Sequence, residues 1–123
     1  MTFACILPAF LSAFVGICEG QPADPAVRVV NGDALAGRAA IMEVSCGVCH
    51  VIPGIAGARG AVGPSLEKFA HRSFIGGVVP NRPAVLARWV RNAPSIAPDT
   101  AMPQLPLSDD EALDIAAYLY TLR

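Results

Sequence analysis

Two thiols and an imidazole packed into five residues, Cys46-Gly47-Val48-Cys49-His50, constrain this chain more than any other feature it has. Donors at this spacing bond to each other, hold a metal, or attach a larger group, and the rest of the fold must be built around the result. A Cys46–Cys49 disulfide would leave His50 without a role. A thioredoxin-like redox pair wants a βαβ setting, and no run here alternates like a β-strand between turn signals. Structural zinc needs four ligands. Beyond these three only His71 is available, because Cys5 and Cys18 lie in an apolar N-terminal segment.

C-x-x-C-H is also the pattern of covalent haem attachment. Two thiols on one turn can each form a thioether to a haem vinyl group, and the adjacent His50 then becomes the proximal iron ligand. On this reading the chain carries one covalent haem c. A domain of this size buries a modest core, and the haem plate would supply much of it, leaving an apoprotein that folds poorly.

The chain has 123 residues, room for one domain. Its 54% hydrophobic content and mean hydropathy of +0.49 owe much to residues 1–18, which hold no charged side chain. The apolar run 3–17 is shorter than the roughly 20 residues of a membrane-crossing helix and matches the apolar region of a secretory signal peptide. No Lys or Arg precedes it, so residues 1–20 are expected to be an atypical signal peptide or an N-terminal membrane anchor. Residues 21–30 form a polar, Pro-containing linker, and residues 31–123 the folded domain.

Nine Lys and Arg against ten Asp and Glu argue against nucleic acid as a partner. The charges are segregated along the chain, however. Residues 59–91 hold six bases and one acid, and residues 99–114 hold five acids and no base. Such a molecule is either dipolar, with a basic docking patch, or simply solvated on two faces.

Helix signals fall in three places. Asn31-Gly32-Asp33 offers N-cap chemistry for a helix leading toward Cys46. Pro83 opens a helix to Asn92 that carries Val85, Leu86, Trp89 and Val90 on an apolar side. Pro94, Pro98, Pro103 and Pro106 exclude regular helix from about residue 93 to 107. Ser108 and Glu111 form a capping box, and the helix after it shows an apolar face of Ala112, Ile115, Ala116, Leu119 and Leu122. Residues 52–64, with four glycines and two prolines, read as loop. The expected fold class is all-α.

Three methionines compete to be the second axial ligand. Met1 belongs to the export segment, and Met42, beside the motif, is expected to pack in the core. Met102 lies in the stiff Pro-rich loop, which can present a thioether to the far face of the haem. His71 is expected to be a surface residue.

In this order, Gly32-Asp33, Gly37-Arg38, Cys46–His50, Gly63-Pro64-Ser65-Leu66, Trp89, Met102-Pro103 and the Ile115–Leu119 stretch resemble class I cytochrome c over nearly all of residues 32–122. The resemblance implies that fold, with three or four helices around one haem. It implies thioethers at Cys46 and Cys49, with His50 and Met102 as the metal ligands. A Pro64 carbonyl would accept from His50, Trp89 would line the Met side, and Arg72 would lie near the propionates. Gly37 and Ile41 would cross Ile115 and Tyr118.

The function so implied is electron transfer in the periplasm, not catalysis. The alternatives are a haem subunit of a larger dehydrogenase or oxidase complex, or a haem enzyme or sensor in which Met102 is a labile ligand. A quinol-oxidising cytochrome complex or a periplasmic dehydrogenase would be the donor and a terminal oxidase the acceptor. The chain would act as a monomer or as a subunit of a respiratory complex, touching the membrane only through a possible anchor.

Overall fold

The computed structural model describes Val29 and residues 31–123. The expected signal peptide or anchor and nearly all of the linker lie outside the described residues. Helix α1 (Ala34–Glu43) begins where Asp33 caps it, its Oδ1 accepting from the Leu35 and Ala36 amides at 2.7 and 3.1 Å. It stops at Glu43 rather than running into the motif. Ser45 takes a left-handed conformation (φ 58°), and Cys46–Val48 forms a separate 3-10 turn.

Helix α2 (Pro83–Asn92) starts on its proline and buries Leu86, Ala87, Trp89 and Val90. Helix α3 (Asp109–Leu119) opens on the complete capping box, Ser108 and Glu111 bonding each other's amides at 3.1 and 2.8 Å. Leu122, also buried, lies past its end. Two further 3-10 turns, Phe69–His71 and Ala93–Ser95, complete the helical elements.

Both α1 and α2 pack on α3. At the α1–α3 crossing a Cβ on Gly37 would overlap the Asp114 carbonyl and stand 2.9 Å from the Ile115 amide. Only glycine lets the two backbones come this close. Asp33 N–H donates to Asp114 Oδ1 at 2.7 Å and ties the start of α1 to the same place. The apolar core joins all three helices through Ile41, Leu86, Ile115 and Ala116.

The all-α expectation is corrected here. Strands β1 (Phe74–Ile75) and β2 (Val79–Pro80) pair antiparallel, Phe74 opposite Pro80 and Ile75 opposite Val79, so the fold is mixed. The connecting Gly76 and Gly77 both sit at positive φ, 55° and 74°, a conformation costly for other residues. Two-residue strands are too short to show an alternating pattern, and for that reason the sequence concealed them. Met42 is a second correction. It is 50% exposed with its sulfur 3.6 Å from Arg38 Nη1, not a core residue. Among the described residues no helix is long and apolar enough to cross a membrane.

Candidate functional site

Cys46 opens the 3-10 turn and Cys49 caps its end, both half-buried and both free thiols. A disulfide between them is therefore not what shapes this segment. Burial pushes the Cys46 thiol up; its own backbone hydrogen bond opposes this, and the neighbouring Cys49 adds to it. Val48, between the two, points outward at 71% exposure.

His50 follows directly, held by its amide donating to the Cys46 carbonyl at 3.0 Å. Its Nδ1 lies 2.7 Å from the Pro64 carbonyl. A carbonyl can only accept, so Nδ1 carries the proton and Nε2 keeps its lone pair. In that tautomer Nε2 is the nitrogen open to a ligand role, and the Pro64 carbonyl fixes the ring's orientation.

Met102 comes from elsewhere in the chain. A turn closed by Thr100 N–H on the Ala97 carbonyl precedes it, and its own amide donates to Thr100 Oγ1 at 3.2 Å. The side chain is half-buried against the same apolar core that Cys46 touches. Trp89 is buried on α2 with Gly76 of the β1–β2 turn pressed against its ring. Arg72 donates to the Ser65 carbonyl and stacks over Phe69, its guanidinium carbon 5.4 Å from the ring centroid. His71 is exposed at the end of its 3-10 turn.

Thus Cys46, Cys49, His50 and Pro64 form one constellation, while Met102, Trp89 and Arg72 are placed by other elements. Sequence reasoning passed over Asn81. Its amide donates to the Phe69 and Arg72 carbonyls (3.3 and 2.9 Å) and its oxygen accepts from Tyr120 at 2.7 Å. Nothing local marks such a residue, because its three partners come from two distant segments.

The donor set also limits what the site can hold. Among the described residues no three His, Cys, Asp or Glu side chains converge as a metal cluster. An imidazole with an outer hydrogen bond and a thioether suit a redox metal of soft or borderline character. Such a group, when bound, supplies a one-electron change of valence. In the structure His50 and the two cysteines share one segment, while Met102 is placed separately against the apolar core.

No protein-family model matches the chain. Over 88 residues, 71% of its length, it is 32% identical to cytochrome c oxidase subunit 2 of Alkalihalophilus pseudofirmus (strain ATCC BAA-2126 / JCM 17055 / OF4). The chain spans about a quarter of the length of that relative, 25%. This similarity corrects two expectations. A free carrier outside any enzyme is not kept, since the relative is a component of an oxidase. The covalent haem c is withdrawn as the assigned cofactor, since the relative is an oxidase subunit rather than a free cytochrome c and its name brings no such group to this chain.

Proposed function

We propose that this chain is an electron-transfer module of a respiratory oxidase assembly. In the order of its motifs it is similar to class I cytochrome c. On this reading His50 and Met102 are its metal ligands, with Cys46 and Cys49 as the sulfur donors nearest His50 in the chain. The observation that carries the reading is the 2.7 Å contact between His50 Nδ1 and the Pro64 carbonyl. It commits the imidazole to one tautomer and presents Nε2 as a ligand.

The protein side of the mechanism is positioning. Pro64 orients His50, the turn at Cys46–Val48 holds both thiols on one short arc, and the Pro-rich loop brings a soft sulfur that favours the reduced metal. A fixed place in an oxidase is preferred to a free shuttle because the relative is itself an oxidase subunit. The acceptor is then the oxidase. The donor is a quinol-oxidising cytochrome complex or a dehydrogenase on the periplasmic side, where this domain resides.

Elemental analysis, visible spectroscopy and voltammetry of the exported full-length protein test this together. The expected result is one redox-active transition metal per chain, lost in C46A/C49A and in H50A, with reversible single-electron behaviour. The spectrum and the element identify the group. A colourless, metal-free and redox-silent protein would sink the proposal.

A further inference from the structure

The basic stretch of the chain is gathered by the fold rather than dispersed. Lys68, His71, Arg72 and Arg82 lie around two adjoining hollows that share Arg123. The larger hollow, about 670 Å³, takes Lys68 and Arg72 together with Ser65 and Glu67. The smaller, about 290 Å³, takes His71 and Arg82, with Asn81 and Tyr120 also in its wall. The consecutive residues His71 and Arg72 thus serve different hollows, and Arg123 belongs to both. Glu67 is the one acidic side chain lining either, and it accepts from the Ser65 hydroxyl at 3.0 Å.

Cations gathered in this way repel one another, and no acidic side chain offsets them in the smaller hollow. Local structure does not account for them either. Arg82 occupies the N-cap of α2, and the first turn of that helix holds no acid, although the helix dipole favours negative charge there. Lys68 keeps a left-handed backbone, φ 52°, which is uncommon for a residue with a side chain.

The walls are cross-tied before any ligand arrives. Asn81 bonds the Phe69 and Arg72 carbonyls and accepts from Tyr120, so it joins all three segments that line the smaller hollow. Ala70 N–H donates to the Leu122 carbonyl at 2.9 Å, and Asn81 N–H to the Ser73 carbonyl at 3.0 Å. Arg72 is held between the Ser65 carbonyl and the Phe69 ring. Groups fixed in advance lose little freedom when an anion binds, and a planar guanidinium matches phosphate oxygens. Both volumes are on the scale of small-molecule sites, roughly 300–1,000 Å³. Concavity of this kind favours a small ligand over the flatter face on which a protein docks.

We infer that the paired hollows bind a ligand presenting two neighbouring phosphate groups, one in each hollow, with Arg123 between them. A free diphosphate and adjacent headgroups of an anionic bilayer share this chemistry. None of the residues used belongs to the Cys46–His50 constellation, so the site stands apart from the function proposed above.

Calorimetric titration of the exported full-length protein with sodium pyrophosphate, at physiological salt, tests this. One pyrophosphate is expected per chain, bound about tenfold tighter than inorganic phosphate, because the second group adds a charged contact. K68Q in one hollow and R82Q in the other should each weaken it about tenfold. E67Q removes the opposing charge and should tighten it. R88Q, an exposed base on α2 outside both hollows, should change it less than about twofold.

Vesicles separate the two sources. Sedimentation with phosphatidylglycerol vesicles that pyrophosphate reverses, and that phosphatidylcholine vesicles do not support, assigns the site to a headgroup. Pyrophosphate binding without such sedimentation assigns it to a free diphosphate. No binding of pyrophosphate, or equal losses in R88Q and R82Q, would overturn the inference. Hexaglutamate binding as tightly as pyrophosphate would also overturn it, and would make the face a docking patch for an acidic protein.

Discussion

On the proposed reading His50 offers Nε2 to a metal while Nδ1 donates to the Pro64 carbonyl, and Met102 offers a thioether from the Pro-rich loop. The two substitutions should therefore differ. H50A removes the proposed nitrogen ligand, and metal content should collapse. M102A should retain metal through His50 but lower its potential, because the soft sulfur proposed to favour the reduced metal is gone. Voltammetry on protein of measured metal content separates the two outcomes. Tyr118 makes a purely structural contact by comparison. Y118F loses one hydrogen bond, to the Pro53 carbonyl, and should cost about 1 kcal/mol in denaturant unfolding with the metal content unchanged.

The start of α3 carries a stability contribution of its own. Replacing Ser108 by Ala opens the capping box of α3 and should destabilise the domain by about 1 kcal/mol. The same box is pH-sensitive. Hydrogen bonding to the Ser108 amide and hydroxyl holds the Glu111 carboxyl below the usual carboxylate range. A carboxyl depressed in the folded state stabilises at pH above its unfolded value, and that contribution fades as pH falls through the folded one. Acid unfolding midpoints should thus show a shallower pH dependence for E111Q than for wild type. At the α1–α3 crossing G37V should cost about 3 kcal/mol, since the clash is with backbone that cannot move aside. Thermal melts followed by circular dichroism measure both.

For the molecule as a whole, the basic stretch and the acidic stretch meet at one described ion pair, Arg91 with Asp109, both well exposed. Such a pair is worth under about 1 kcal/mol, so D109N should barely move the melting temperature while changing how salt affects docking on a partner. Stability is expected to depend far more on the bound group. The protein core is small, and anything bound only by the folded state stabilises it. C46A/C49A, lacking the group, should melt roughly 10–20 °C below the wild type. Equal melting temperatures would mean that the helices need no such support.

The sequence by itself determined what depends on neighbours in the chain. The α2 boundaries follow from Pro83 and the prolines after Asn92, and the start of α3 from Ser108 and Glu111. The close spacing of Cys46, Cys49 and His50 is a matter of five consecutive residues. Only the tertiary structure decided the β1–β2 pair, the exposure of Met42, the Asn81 hub and the paired hollows. Glycines 54, 57, 60 and 63 read as loop freedom in the sequence, yet at 54, 60 and 63 a Cβ would run into what lies across from it. The reason is physical. A cap or a proline acts through covalent geometry within a turn, whereas the space a glycine leaves acquires meaning only when a distant backbone fills it. Tyr118 and Pro53, 65 residues apart, become partners in the same way, once packing on α3 has closed the loop.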